Sequence, residues 1–204
     1  MYGTRFAGIG IGLGPFVDRY SQAAALYRLR SFDFINVRDD FSYSLCTDSG
    51  LRKVTQSHDL SLTRAGEFER MDGRTTHNRT ILICPRHYPH GNRKDRYVVE
   101  LLKSLNSWKD QGYNLLAFGF QSQHDESVME QFSGRGVNVQ MWNPEENDID
   151  SVFDLFASAR LVVSARMHGI YVAGMVGTPC IGIGVHPKLT YAANLFESSR
   201  CLEE

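Results

Sequence analysis

The stretch ARLVVSARMHGIYVAGMVGTPCIGIG, residues 159–184, decides the fold class because it contains a complete strand–helix–strand unit. The apolar run at 161–164 predicts a buried strand, and the small apolar residues at 168–176 predict a buried helix. A second apolar run at 180–184 predicts another buried strand. Two strands joined through a helix run parallel in one sheet, so this stretch indicates an α/β protein.

Arg166 and His168 stand where the first of these strands meets the helix. Burying such groups is costly unless they have a partner, so both need an explanation. One explanation is functional: the planar fork of Arg166 suits a carboxylate or phosphate, and His168 lies in a helical first turn that also favours anions. The other is structural, with Arg166 paired to an acidic residue of a neighbouring loop and His168 capping the helix.

The same alternation extends along most of the chain. Strands are predicted at 6–11, 34–37, 80–84, 115–120, 137–141, 161–164 and 180–184. Helices are predicted at 21–29, 96–111, 125–132, 149–159, 168–176 and 189–196. Strands that are apolar almost throughout and are separated by helices indicate Rossmann-like, doubly wound parallel sheets.

A polar, glycine-containing stretch at residues 63–79 interrupts this alternation and is predicted to be a linker. We therefore expect a partial N-terminal α/β domain at 1–75 and a C-terminal Rossmann-like domain at 76–204.

Composition excludes several classes of function. The chain has 204 residues, 42% hydrophobic content and a formal net charge of −1, as expected for a globular protein without a global field for nucleic acid or anionic membranes. No apolar run reaches the roughly 20 residues of a spanning helix, and no signal peptide is recognisable. The cysteines at 46, 84, 180 and 201 show no C-x-x-C spacing, and Cys84 and Cys180 lie in apolar, strand-like runs, which predicts that these two are core thiols and favours a cytoplasmic location.

Polar side chains follow five of the predicted strands, at the edge where open α/β sheets bind ligands. Four of these strand ends present a cation, and the fifth carries Gln121, His124 and Asp125. The residues at the four cationic ends include Arg38, Arg86, Arg166, His168 and Lys188. Such clustering indicates an anionic ligand.

Other familiar motifs are absent from the sequence. The glycines of GIGIGLG, residues 8–14, alternate within a strand and are followed by Pro15, which argues against a nicotinamide or flavin site. No metal-ligand spacing, nucleophile elbow or phosphate-binding P-loop occurs, so no metal and no separate cofactor are predicted.

The order of these segments resembles the polysaccharide pyruvyl transferase family. Residues 159–196 resemble its C-terminal signature, NVRDDFSYSLCTDSG (36–50) and SHDLSLT (57–63) are similar to its arginine–aspartate and aspartate segments, and ILICPRHY (81–88) is similar to the strand that opens its second domain. This resemblance implies a glycosyltransferase-B-like arrangement of two Rossmann-type domains. It also implies transfer of pyruvate from phosphoenolpyruvate onto sugar hydroxyls as a ketal.

The resemblance further implies roles for individual residues. Arg86, Arg166 and His168 would contact phosphoenolpyruvate, with Arg38 and Lys188 as additional candidates. Arg166 and His168 would be catalytic, with His168 protonating or stabilising the leaving phosphate. The acceptor would be a sugar or a lipid-linked oligosaccharide, on the way to a polysaccharide such as an exopolysaccharide.

Two departures and two alternatives accompany this resemblance. Met167 replaces the family's usual leucine, and no Asn-x-Gly-Asp-like segment precedes the strand at 6–11, so we expect a truncated N-terminal domain. A nucleotide-sugar glycosyltransferase of the same fold is one alternative, although no acid follows His168 in the next turns to bind a ribose. The other is a non-catalytic remnant that binds an anionic glycan.

Overall fold

A computed structural model describes residues 4–68, 78–87, 96–146, 148–184 and 186–203. The chain divides into two compact units, Met1–Arg64 and Ala65–Glu204. The predicted domain boundary between residues 75 and 76 lies outside the described residues, so it stays a prediction.

The first unit is a small parallel α/β layer. Among its described residues, three parallel strands lie in the order β1-β2-β3. In chain order its elements are β1 (Ala7–Ile11), α1 (Arg19–Leu29), β2 (Phe34–Val37), α2 (Asp40–Asp48), β3 (Val54–Gln56) and a 3-10 helix (Leu60–Arg64). Aspartates cap both α-helices: Asp18 forms a capping box with Ser21, and the Oδ1 atom of Asp39 accepts the backbone N–H of Ser42 at 2.8 Å.

The second unit carries the larger sheet. Its described elements are α3 (Ala65–Phe68), β4 (Thr80–Cys84), α4 (Arg96–Asp110), β5 (Asn114–Gly119), α5 (Ser122–Ser133), β6 (Asn138–Met141), α6 (Ile149–Ser158), β7 (Leu161–Ser164), α7 (Met167–Met175), β8 (Cys180–Gly184), α8 (Pro187–Asn194) and β9 (Ser199–Glu203). Within the described residues six strands pair in parallel, in the order β6-β5-β4-β7-β8-β9. This is the Rossmann strand order. Successive strands are added toward one edge of the sheet from β4 to β6 and toward the other edge from β7 to β9, so the order reverses between β4 and β7. We call the carboxyl ends of β4 and β7 the switch point.

The predicted Rossmann-like α/β fold is confirmed, and the predicted strands and helices are present within a few residues of their expected ends. Among the described residues five elements were not predicted, namely α2, α3, β3, β9 and the 3-10 helix. These segments are short or rich in polar residues, so they carry little hydrophobic periodicity. Residues 63–68 of the predicted linker lie in the 3-10 helix and α3, and residues 69–77 lie outside the described residues, so the linker stays a prediction.

The central strands are buried, as a parallel sheet requires. Leu82, Ile83 and Val162 are fully buried, because helices cover both faces of the sheet in doubly wound folds. Cys84 and Cys180 lie in these strands as buried thiols, which confirms them as core residues. Burial raises the pKa of the Cys84 thiol well above its usual range and raises the pKa of Cys180 to about 12. Both side chains therefore stay protonated at neutral pH and behave as small core groups.

Candidate functional site

The switch point brings the segments after β4 and β7 together. The two strands are neighbours, with Cys84 paired to Ser164 at their carboxyl ends. Three predicted site residues follow within four positions of these ends: Arg86 after β4, and Arg166 and His168 after β7. The Nε–H of Arg166 donates to the backbone carbonyl of Pro85 at 3.4 Å, which links the two segments. The fold alone accounts for this meeting, because parallel strands end at one edge of the sheet.

Arg166 is buried, and its guanidinium is held by the turn between β5 and α5. Its Nη1–H donates to the Oε1 atom of Gln121 at 3.0 Å, and its Nη2 atom is hydrogen-bonded to the carboxylate of Asp125. The structure thus contains the pairing with an acidic residue that the structural explanation of Arg166 required. The Asp125 carboxylate offsets the positive charge of the guanidinium. Arg166 therefore contributes oriented N–H donors to this edge of the sheet, and little net positive charge.

Asp125 holds this arginine, and the sequence placed it after a strand without indicating a role for it. It is fully buried, and its Oδ2 atom accepts the backbone N–H groups of Phe120 and Gln121, each at 3.2 Å. One oxygen therefore holds the β5–α5 turn while the other oxygen holds Arg166. A buried arginine needs an acidic partner, so an acid shortly after a neighbouring buried strand was a candidate for that partner. This was the signal for Asp125 in the sequence.

The backbone of Arg166 is fixed as firmly as its side chain. The hydroxyl of Ser164 accepts the backbone N–H of Arg166 at 3.1 Å and donates to its carbonyl oxygen at 2.7 Å. Arg166 occupies the N-cap position of α7, with φ −119° and ψ 130°. This placement differs from the expectation that His168 would cap the helix.

Gly169 allows α7 to start this close to the sheet. A Cβ atom at this position would lie 2.4 Å from the Ser164 Oγ atom and 3.3 Å from the Cys84 Cβ atom. The side chain of Ser164 cannot move without losing its bonds to Arg166. The close approach of helix and strand therefore depends on glycine here.

Gly169→Ala is expected to lower the free energy of unfolding by about 1–2 kcal/mol. Overpacking costs about 1–3 kcal/mol, which exceeds the gain of up to about 1 kcal/mol that alanine brings over glycine in a helix. The matched control is Gly66→Ala in α3, where no atom lies within 4 Å of the added Cβ and where we expect no loss. Urea unfolding of both variants measures the difference, and equal stabilities would contradict the close approach.

His168 is the second residue of α7 and is exposed. Its ring meets the ring of the buried Tyr171 edge-on, with 6.1 Å between centroids. It lies at the N-terminal turn of the helix, where backbone N–H groups and the positive end of the helix dipole favour an anion. An exposed imidazole at such a position can donate a proton to a bound anion.

Arg86 is half-buried, and its backbone is held by a residue that sequence reasoning missed. The hydroxyl of Tyr97, in the first turn of α4, accepts the backbone N–H of Arg86 at 2.8 Å and donates to its carbonyl oxygen at 2.5 Å. Tyr97 is itself buried. A buried tyrosine usually finds a partner for its hydroxyl, which was the only signal for it in the sequence.

Lys188 lies at the next strand end, after β8, and is buried as the second residue of α8. Its backbone N–H donates to the Nδ1 atom of His186, the N-cap residue, at 3.2 Å. Because β8 neighbours β7, Lys188 belongs to the same sheet edge as Arg166.

Arg38 belongs to the first unit and follows β2. Its Nη1 atom is hydrogen-bonded to the carboxylate of the buried Asp59. Its guanidinium also lies against Gly12, where an added Cβ would come 2.5 Å from the Nε atom. Arg38 and Arg166 are therefore each paired with a buried aspartate.

Two negative findings concern the described residues only. No group of three or more histidine, cysteine or acidic side chains in the described ranges is placed to hold a metal ion. Across the same ranges, no helix combines the length and the apolar character needed to cross a membrane.

Comparison with known proteins identifies a family and a fold. The family model described as polysaccharide pyruvyl transferase matches residues 2–187. No curated protein matches the sequence at a significant level.

Three solved structures share the fold at low sequence identity. UDP-N-acetylglucosamine 2-epimerase from Rickettsia bellii has a TM-score of 0.56 at 11% identity, covering 88% of this chain and 49% of its own. HepE of Anabaena, in complex with UDP-glucose, has a TM-score of 0.54 at 13% identity, covering 88% and 53%. WaaG, a glycosyltransferase of lipopolysaccharide biosynthesis, has a TM-score of 0.51 at 17% identity, covering 99% and 65%. The chain thus spans about half to two thirds of the length of these proteins.

Proposed function

Because the chain belongs to the polysaccharide pyruvyl transferase family, we propose that it transfers pyruvate from phosphoenolpyruvate onto two hydroxyls of a sugar, forming a ketal. The observation that carries this proposal is the meeting of Arg86, Arg166 and His168 at the switch point. Ligands of open α/β sheets bind at such a reversal of strand order.

The donor has two anionic groups, a phosphate and a carboxylate, and the proposed site offers matching donors. Arg166 would supply oriented N–H groups, and Arg86 would supply a second guanidinium from the neighbouring strand end. The N-terminal turn of α7 would add backbone N–H groups and its dipole. Lys188 is proposed as a further contact from the next strand end, and Arg38 as a substrate-binding residue of the first unit.

The proposed reaction needs two proton transfers. One acceptor hydroxyl adds to C2 of the enol phosphate and gives up its proton, while the methylene carbon gains a proton and becomes a methyl group. The second hydroxyl then displaces phosphate from C2 and gives up its own proton, which the departing phosphate takes up. His168 would protonate or stabilise the departing phosphate, and the arginine N–H groups would stabilise the charge that develops there.

The proposed acceptor is a sugar, or a lipid-linked oligosaccharide, on the way to a polysaccharide such as an exopolysaccharide. No separate cofactor is proposed, since phosphoenolpyruvate supplies the transferred group. We propose the cytoplasm as the location, in keeping with the buried thiols of Cys46, Cys84 and Cys180.

A nucleotide-sugar donor is the main competing chemistry. Dinucleotide sites on Rossmann folds use an acidic side chain to bind the ribose hydroxyls. The sequence contains no acid from residue 155 to residue 196, a stretch that includes α7 and the end of β8. This difference favours phosphoenolpyruvate over a nucleotide sugar at the start of α7.

The test is phosphate release from phosphoenolpyruvate in the presence and absence of galactosides, together with thermal unfolding in the presence of each donor. We expect release that depends on the sugar. We also expect stabilisation by phosphoenolpyruvate, which amounts to about 2.7 kcal/mol for a ligand at 100 times its Kd.

Two outcomes would overturn the proposal. Stabilisation by nucleotide sugars and not by phosphoenolpyruvate would indicate a glycosyltransferase. Stabilisation by anionic glycans without any release of phosphate would indicate a non-catalytic binding protein.

A further inference from the structure

We propose that Asp125 and Gln121 are positioning residues for donor binding, and that they act through Arg166. This inference rests on the proposed function, because it concerns the same switch point. Neither residue comes from the segments after β4 or β7: Gln121 is the N-cap residue of α5, and Asp125 lies in the first turn of α5.

The contacts of the Arg166 guanidinium come from segments that follow two other strands. Its Nε atom contacts Pro85 after β4, while its Nη1 and Nη2 atoms contact Gln121 and Asp125 after β5. The side chain itself originates after β7. Three adjacent strand ends therefore fix one guanidinium, and a fork held in this way loses little side-chain entropy when it binds an anion.

The two oxygen atoms of the Asp125 carboxylate have different partners. Its Oδ2 atom accepts two backbone N–H groups of the β5–α5 turn, while its Oδ1 atom contacts Arg166. Holding the turn would not require a buried negative charge, because a neutral side-chain acceptor can serve backbone N–H groups. The negative charge is instead explained by the contact of Oδ1 with the guanidinium of Arg166, which it holds in place.

The side chain of Gln121 is turned toward Arg166. Gln121 is the N-cap residue of α5, yet its side chain makes no capping hydrogen bond. Its Oε1 atom accepts from Arg166 instead, although the residue is exposed. An exposed side chain that forgoes capping and contacts a buried arginine fits a positioning role.

Asp125→Asn separates the two tasks of Asp125, because an amide has only one acceptor atom. When its oxygen faces the two backbone N–H groups, its NH2 group faces the Nη2 donor of Arg166 and displaces it. The test compares the affinity for phosphoenolpyruvate of the wild type, Asp125→Asn, Arg166→Gln and the double variant. We expect Asp125→Asn to weaken binding by about 10- to 100-fold, the range for losing a charge-assisted hydrogen bond. In the Arg166→Gln background we expect it to have no further effect.

Two further variants support this comparison. Gln121→Ala changes an exposed residue and so preserves the fold, and its smaller loss of affinity is also expected to vanish in the Arg166→Gln background. The matched control is Asp148→Asn, since Asp148 is an exposed aspartate whose Oδ1 atom caps α6 through the N–H of Ser151 at 2.6 Å. Asparagine caps helices about as well as aspartate, so the affinity should be unchanged.

The outcomes distinguish this inference from the proposed function. Equal losses with and without Arg166 would show that the two residues act on the fold generally, and unchanged affinities would show that they do not position Arg166; either result overturns the inference alone. Failure of the wild type to bind phosphoenolpyruvate would overturn the proposed function, and this inference with it, before any variant is measured.

Discussion

Replacing His168 with alanine is expected to lower the rate of the proposed pyruvate transfer by about 10²–10⁴-fold, the usual contribution of a positioned general acid. The residue is exposed at the start of α7, so the free energy of unfolding should change by less than about 1 kcal/mol. Phosphate release at saturating phosphoenolpyruvate and acceptor measures the rate. Thermal unfolding of the same samples measures the stability.

A second variant at this position separates proton transfer from binding. Asparagine at position 168 keeps a hydrogen-bond donor but cannot titrate, so His168→Asn should bind phosphoenolpyruvate better than His168→Ala and remain as slow. The pH–rate profiles of both variants should lack one limb that the wild-type profile shows, because the variants have no imidazole at this position. A His168→Ala protein with the full rate would rule out the acid role.

Replacing Asp125 with alanine is expected to lower the free energy of unfolding by about 3–5 kcal/mol. The change leaves the guanidinium of Arg166, whose side chain is 9% exposed, without its carboxylate partner. It also removes the acceptor of two backbone N–H groups at the start of α5. Urea unfolding, with the midpoint and slope compared against the wild type, measures the loss.

The paired replacement Asp125→Leu with Arg166→Met is the control for this result. Apolar pairs of similar volume often restore or exceed the stability of a buried ion pair, so most of the loss should be recovered. Binding of phosphoenolpyruvate should not return, because the N–H donors of Arg166 are gone. If the single and paired variants were equally unstable, the loss would come from the backbone N–H groups and not from the stranded guanidinium.

Most of the elements could be predicted because their signals are local. Apolar runs of strand length mark β4, β5, β7 and β8, and capping residues such as Asp148 mark helix starts. The same reasoning led to Arg86, Arg166 and His168, since residues directly after buried strands lie at the binding edge of an open sheet. The unpredicted α2 has few apolar residues, in DFSYSLCTD, and so showed no helical period.

The residues that hold the site could not be predicted in the same way. Tyr97 contacts the backbone of Arg86 from a separate helix, and Ser164 acts through a turn that has no distinctive pattern. Gly169 is required by a distance to the sheet and not by a turn, because its φ lies outside the left-handed region. Each of these roles depends on contacts between elements or on exact local geometry. The pattern of apolar and polar residues in a single sequence does not show such contacts.

The sequence by itself determined a parallel α/β protein with Arg166 and His168 at the end of an apolar strand, because periodicity, caps and turn residues act over a few neighbouring positions. Only the tertiary structure decided what Arg166 contacts. Asp125 lies 41 positions earlier in the sequence. It contacts Arg166 because only one strand, β4, separates β5 from β7 in the sheet. Strand order depends on long-range packing, so whether that arginine faces a ligand alone or is held by a buried carboxylate was settled by the fold.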